Sequence, residues 1–139
     1  MPYATLQDLV DRFGYEQLAQ LSDRDAAVTV DEVVVGRALA DADAEIDGYL
    51  VALYALPLAS VPALLVRMAC DIARYRLFGD RVTEQVRQLY TDAVRDLKAI
   101  ASGAIKIDGV APLAPSAAST AIKVSAPAPM FGRDTLGGY

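Results

Sequence analysis

The stretch YALPLASVPALLVRMACDIARYRLFGD, residues 54–80, decides how this chain folds. Pro57 drives Leu56 out of the helical region, so a helix arriving from the N-terminal side must end before it. Pro62 suits the first turn of a new helix, where its missing N–H costs nothing. From about Val61 to Phe78 the segment is apolar on most sides, through Leu64, Leu65, Met68, Ala69, Ile72 and Tyr75. A helix with so little polar surface belongs at the centre of its fold. Gly79 and Asp80 close it and begin the next element.

Working outward, Asp31 is an N-cap for a helix predicted to run to about Tyr54. Val34, Ala38, Ala42, Ile46, Tyr49, Leu50 and Leu53 recur on it at spacings of three and four. On the other side, Val82, Val86, Leu89, Ala93, Leu97 and Ile100 give the same period from Arg81 to about Ala101, with Gly103 as the stop. Near the N-terminus, Thr5 with Asp8 three positions on makes a capping box. Leu6, Leu9, Val10 and Phe13 form one face behind it, and Gly14 ends the helix. A second short helix is expected from about Glu16 to Leu21, then the polar connection SDRDAAVTVD. The expected fold is therefore all-α: a helical bundle of three long and one or two short helices over residues 1–103.

After Gly103 the pattern changes. AIKIDGV alternates and carries Asp108-Gly109, a hairpin dipeptide, and AIKV at 121–124 echoes it. Residues 104–139 are expected to form an extended C-terminal arm with two short strands or a small β-hairpin. The chain closes on APAPMFGRDTLGGY, in which Met130, Phe131, Leu136 and Tyr139 follow no helical or strand period. Apolar side chains on a segment that cannot bury them itself call for a neighbour that can.

Composition narrows the function classes. At 139 residues, with 54% hydrophobic and 22% charged residues, the chain can build one modest core. No apolar run approaches the ~20 residues of a membrane span, and the N-terminus has no signal-peptide pattern, so a soluble protein made in the cytoplasm is expected, with no membrane partner. Cys70 is the single cysteine and histidine is absent, which removes disulfides, thiolate clusters and the commonest general base. The formal charge is −5 and unevenly spread. Residues 1–60 hold 11 acidic and 3 basic side chains, and residues 61–103 hold 5 and 7. The net negative charge argues against a general nucleic-acid binder, and the split suits association between unlike faces.

Asp41, Asp43, Glu45 and Asp47 alternate like calcium ligands, but an EF-hand loop needs Gly and Glu where Ile46 and Ala52 stand. On a helix the four carboxylates also point in different directions. A solvated or subunit-facing acidic surface is the simpler reading, and no cofactor or metal is expected. Arg74, Arg81 and Arg95, among the basic residues of the second half, have three readings: local pairs such as Asp71 with Arg67 or Arg74, charge pairs with the acidic helix of an adjacent copy, or phosphate contacts. Cys70, mid-helix among apolar neighbours, is buried filler rather than a reactive thiol. Tyr49, Tyr54 and Tyr75 belong to the core or an interface.

The order of elements carries a resemblance. An acidic helix with a late Tyr is followed by Tyr-x-Leu-Pro-Leu (residues 54–58). A second proline, Pro62, then opens an apolar helix that closes in Asp-Ile-Ala-Arg-Tyr-x-Leu (residues 71–77). With YATLQDLVDRFG at 3–14 and the closing LGGY, this resembles the Mu-like phage and prophage family of unknown function (Mu gp36-like), which is similar in architecture to the head-tail connector, or head-completion adaptor, proteins of tailed phages.

The resemblance implies a non-enzymatic virion protein at the head-tail interface: a ring of identical subunits, expected to number twelve, between portal protein and tail terminator or stopper, with DNA passing through without sequence-specific binding. It implies that Tyr54, Leu56, Pro57, Leu58 and Pro62 fix the helix junction, and that Asp71, Arg74 and Tyr75 mark the central helix. On this reading the arm, through Met130, Phe131, Arg133, Leu136 and Tyr139, anchors in a neighbour or the portal. Asp41, Asp43, Glu45 and Asp47 become candidates to pair with Arg74, Arg81 and Arg95 between subunits. Two alternatives stand beside it: a small DNA-associated or regulatory helical protein using Arg74, Arg81 and Arg95, and an enzyme built on the Asp43 and Asp47 carboxylates.

Overall fold

Local capping chemistry sets the first helix. In the computed structural model, which describes residues 2–23, 25–26, 28–110 and 112–113, the Thr5 hydroxyl accepts from the Asp8 amide at 3.2 Å. The Asp8 carboxylate accepts from the Thr5 amide at 2.8 Å. This reciprocal box opens α1 (Leu6–Phe13), and Gly14, at φ 90°, ends it while donating to the Val10 carbonyl. α2 (Tyr15–Ser22) follows at once. The Asp31 carboxylate then caps α3 (Glu32–Leu50) by accepting from the Val33 and Val34 amides.

α3 stops four residues short of the expected Tyr54. The Leu50 carbonyl accepts from both the Leu53 and Tyr54 amides, which tightens the chain into a turn. Burial drives the difference: the turn brings Tyr54 and Leu58 into the core, at 2% and 4% exposure. Pro62 is the N-cap of α4 (Ala63–Phe78) rather than part of its first turn, since its ψ of 152° is extended. A 3-10 turn over Gly79–Arg81 separates α4 from α5 (Glu84–Ala101), so α5 begins three residues later than expected, where the Thr83 hydroxyl can accept from the Val86 amide.

α4 is the central helix, as its apolar sequence requires. It packs on each of the other four, most extensively on α3, while α5 rests on α3 and α4 and touches neither α1 nor α2. Ile72, Met68, Leu65, Ile46, Leu50, Leu97 and Ile100 are fully buried in one core. Cys70 is buried there too, and burial pushes its thiol up to about 11, despite the nearby Arg12, consistent with filler.

The described residues form five α-helices and no strand. The strand expected within AIKIDGV is therefore corrected. Ile107 is buried, its amide reaches the Tyr54 hydroxyl, and Asp108-Gly109 closes a turn from the Val110 amide to the Ile107 carbonyl. Core contact uses Ile107, with Ile105 and Val110 alongside, so the backbone is shaped as a strap against the helices rather than as a ladder edge. The Leu113 amide ties the strap to the Leu53 carbonyl at 2.7 Å. The expected partner strand at 121–124 and the arm residues Met130, Phe131, Arg133, Leu136 and Tyr139 lie outside the described residues.

Candidate functional site

The alternating carboxylates of α3 are helical, so successive members face different neighbours. Asp43 accepts from the Tyr3 amide at 3.0 Å, and Asp47 accepts from the Tyr3 hydroxyl. Two acids are thus joined through one buried residue of the N-terminal segment. Burial raises the Asp43 carboxyl above its usual range, with the Tyr3 amide working against it, and burial followed by Asp47 holds the Tyr3 phenol neutral far above its ordinary value.

Glu45 turns the other way, into the seam of α3, α4 and α5. Its carboxylate accepts from Arg76 at 2.6 Å and from the Tyr90 hydroxyl at 3.1 Å. Tyr90 in turn stacks on Tyr75, with ring centroids 4.0 Å apart and planes within 10°. Three helices are therefore pinned by one acid, one guanidinium and two stacked rings. Asp41, by contrast, is exposed at a shallow cleft of about 140 Å³ lined by Val34, Arg37, Ala38, Arg76 and Leu77.

The basic candidates divide in the same manner. Arg74 lies over the Phe13 ring at 4.4 Å and the Phe78 ring at 5.8 Å, fastening α1 to the end of α4. Its Nε is buried without a hydrogen-bond partner among the described residues, and burial lowers its pKa. Arg95 pairs with Asp92 at 3.0 Å and Asp96 at 3.4 Å along α5. Arg67 bridges Asp71 at 3.5 Å and Asp96 at 3.6 Å, joining α4 to α5. Asp71 is nearly buried, and desolvation raises its carboxyl while Arg67 opposes the shift. Arg81 is exposed on the 3-10 turn.

Of the seven charged candidates, five are thus engaged within the chain: Asp43, Asp47, Glu45, Arg74 and Arg95. Among the described residues Asp41 and Arg81 make no ion pair. The Asp43 and Asp47 carboxylates considered for catalysis share Tyr3 rather than a cavity. Sequence reading missed Tyr3 and Tyr90 and took Arg76 only as one of the basic residues of the second half; these three are the partners that give the acidic helix its geometry. The one local signal was their placement, an aromatic just before a capping box and a tyrosine four residues after Val86 on the inward side of α5.

The chain is 45% identical over 105 residues to the Mu-like prophage FluMu protein gp36 of Haemophilus influenzae, covering 76% of this chain and 74% of that one. It is 42% identical over 104 residues to gene product J of Escherichia phage Mu, covering 74% of each. No helix among the described residues is long and apolar enough to cross a membrane. The family model for bacteriophage Mu gp36 matches residues 3–125, from the tyrosine that joins the two α3 acids to beyond the strap, and the chain belongs to that family of phage and prophage proteins.

Proposed function

We propose that this chain is a non-enzymatic structural protein of the virion, a head-tail connector subunit. In this reading its helices form a bundle carrying a C-terminal arm, and the subunits close into a homo-oligomeric ring of twelve between portal and tail terminator or stopper, through which DNA passes. The observation that carries it is the match to a phage Mu gene product and a Mu-like prophage protein along about three quarters of the chain. The geometry supports it. The clustered acids and arginines brace helix against helix, which suits a rigid building block. Met130, Phe131, Arg133, Leu136 and Tyr139 supply anchors for a neighbour or the portal.

The DNA-associated alternative would draw on Arg74, Arg81 and Arg95. Arg74 is committed to Phe13 and Phe78 and Arg95 to two aspartates, which leaves Arg81. Electron microscopy of phage particles carrying a tagged copy tests the connector reading. A ring of density at the portal vertex is expected, and particles lacking the protein would defeat it. Removing residues 126–139 should leave the helical circular dichroism intact and reduce attachment to the vertex.

A further inference from the structure

Two surfaces of this chain are complementary to each other and are separate from one another. The first is the corner where α2 meets α3. The Tyr15 hydroxyl accepts from the Val30 amide at 3.3 Å, which sets Tyr15 beside the connection into α3. Tyr15, Val28 and Val33 are exposed there at 50%, 68% and 69%, three of the large apolar side chains left most open to solvent. In sequence, residues 15–32 hold five carboxylates, Glu16, Asp23, Asp25, Asp31 and Glu32, and one guanidinium, Arg24.

The second surface is the outer stripe of α5. Arg87, Tyr90, Thr91, Val94, Arg95 and Lys98 follow at helical spacing, and five of them, from Tyr90 on, line an open groove of about 290 Å³. Its floor is firm, because Tyr90 is held by Tyr75 and Glu45. Its rim is cationic: Arg95 is paired with Asp92 and Asp96, while Arg87 and Lys98 make no ion pair among the described residues. α5 touches neither α1 nor α2 and meets α3 through Glu45 and Tyr90, and among the described residues no hydrogen bond or ion pair joins the corner to the groove within one molecule.

We propose that the α2–α3 corner of one copy docks in the α5 groove of the next, its apolar side chains covering Tyr90 and Val94 and its carboxylates meeting Arg87 and Lys98. Joining two different surfaces makes the contact heterologous, so repetition yields a closed ring or an open filament rather than a two-fold dimer. The inference rests on the ring reading above and assigns its contact to these two surfaces.

Opposite charge reversals test it on the full chain. Glu16→Lys with Glu32→Lys reverses the corner, and Arg87→Glu with Lys98→Glu reverses the groove. All four side chains are exposed, so circular dichroism should match the parent. Light scattering across a concentration series should show each reversed protein assembling at about tenfold higher concentration or more. An equimolar mixture of the two should assemble as the parent does, because each then meets its opposite at both surfaces. In phage particles, Val33→Cys with Val94→Cys should give an oxidised ladder of multimers that reducing agent collapses. Reversed proteins that assemble normally, or a mixture that rescues nothing, overturn this contact and leave the ring standing. A parent chain that stays monomeric both alone and in particles overturns contact and ring together.

Discussion

Glu45 and Asp92 each accept from an arginine at 3.0 Å or less, yet the two pairs have unequal weight. Glu45 is 15% exposed in the seam and also serves Tyr90, whereas Asp92 is 32% exposed on α5 and its partner Arg95 is 69% exposed. Water screens the second pair and leaves its long side chains their entropy, so such contacts contribute little. With Tyr90 the first pair joins three helices, and its acid lies where water reaches poorly, so losing the arginine strands the carboxylate. Residue type does not distinguish the two acids; the number of helices meeting at each does.

The comparison is bounded above by the core beneath the seam. Ile72→Ala, at a fully buried site on α4, should destabilise the protein by about 2–5 kcal/mol through lost burial and the cavity left behind, read as a fall in urea midpoint. Next comes the seam itself. Arg76→Ala should cost about 1–2 kcal/mol, reduced from a fully buried pair because Arg76 is partly exposed. A double-mutant cycle of Arg76→Ala with Glu45→Ala should give a larger coupling than Arg95→Ala with Asp92→Ala. Equal couplings would mean that the seam pair holds the fold no more tightly than the surface pair.

Asp71, another acid shielded from water, makes stability depend on pH. Its carboxyl titrates above the unfolded value because it is desolvated, so the folded state holds its proton more tightly. The resulting stabilisation is full below the unfolded value, about 3.9, and is lost as pH rises through the folded value. Asp43 acts in the same direction. Asp71→Asn should therefore flatten the fall in urea midpoint on raising pH from the acid side, and an unchanged slope would count against the assignment. Smallest of all, Arg95→Ala should shift stability by no more than about 0.5 kcal/mol, and less at high salt.

Much of the fold was legible because its signals are local. Thr5 with Asp8, Gly14 and Asp31 mark helix ends through atoms only a few residues apart, and the prolines at 57 and 62 force the break between α3 and α4. The end of α3 was misjudged because apolar residues continue to Tyr54, and periodicity does not reveal that a turn buries them better than another helical turn would. The strap was misread as a strand for a related reason. Alternation records which side chains are apolar, whereas Ile107 is placed by what it packs against.

Local signals in the chain set where α1 and α3 begin, which faces turn inward and that α4 lies at the centre, since capping, period and hydropathy act over short distances. The partners of the charged residues depend on how the helices pack. Tyr3 meets Asp47 across 44 positions, and Tyr90 meets Glu45 across 45. Packing of the apolar core sets those separations to a few ångströms, and a carboxylate's partner is chosen by that distance rather than by its neighbours in the chain.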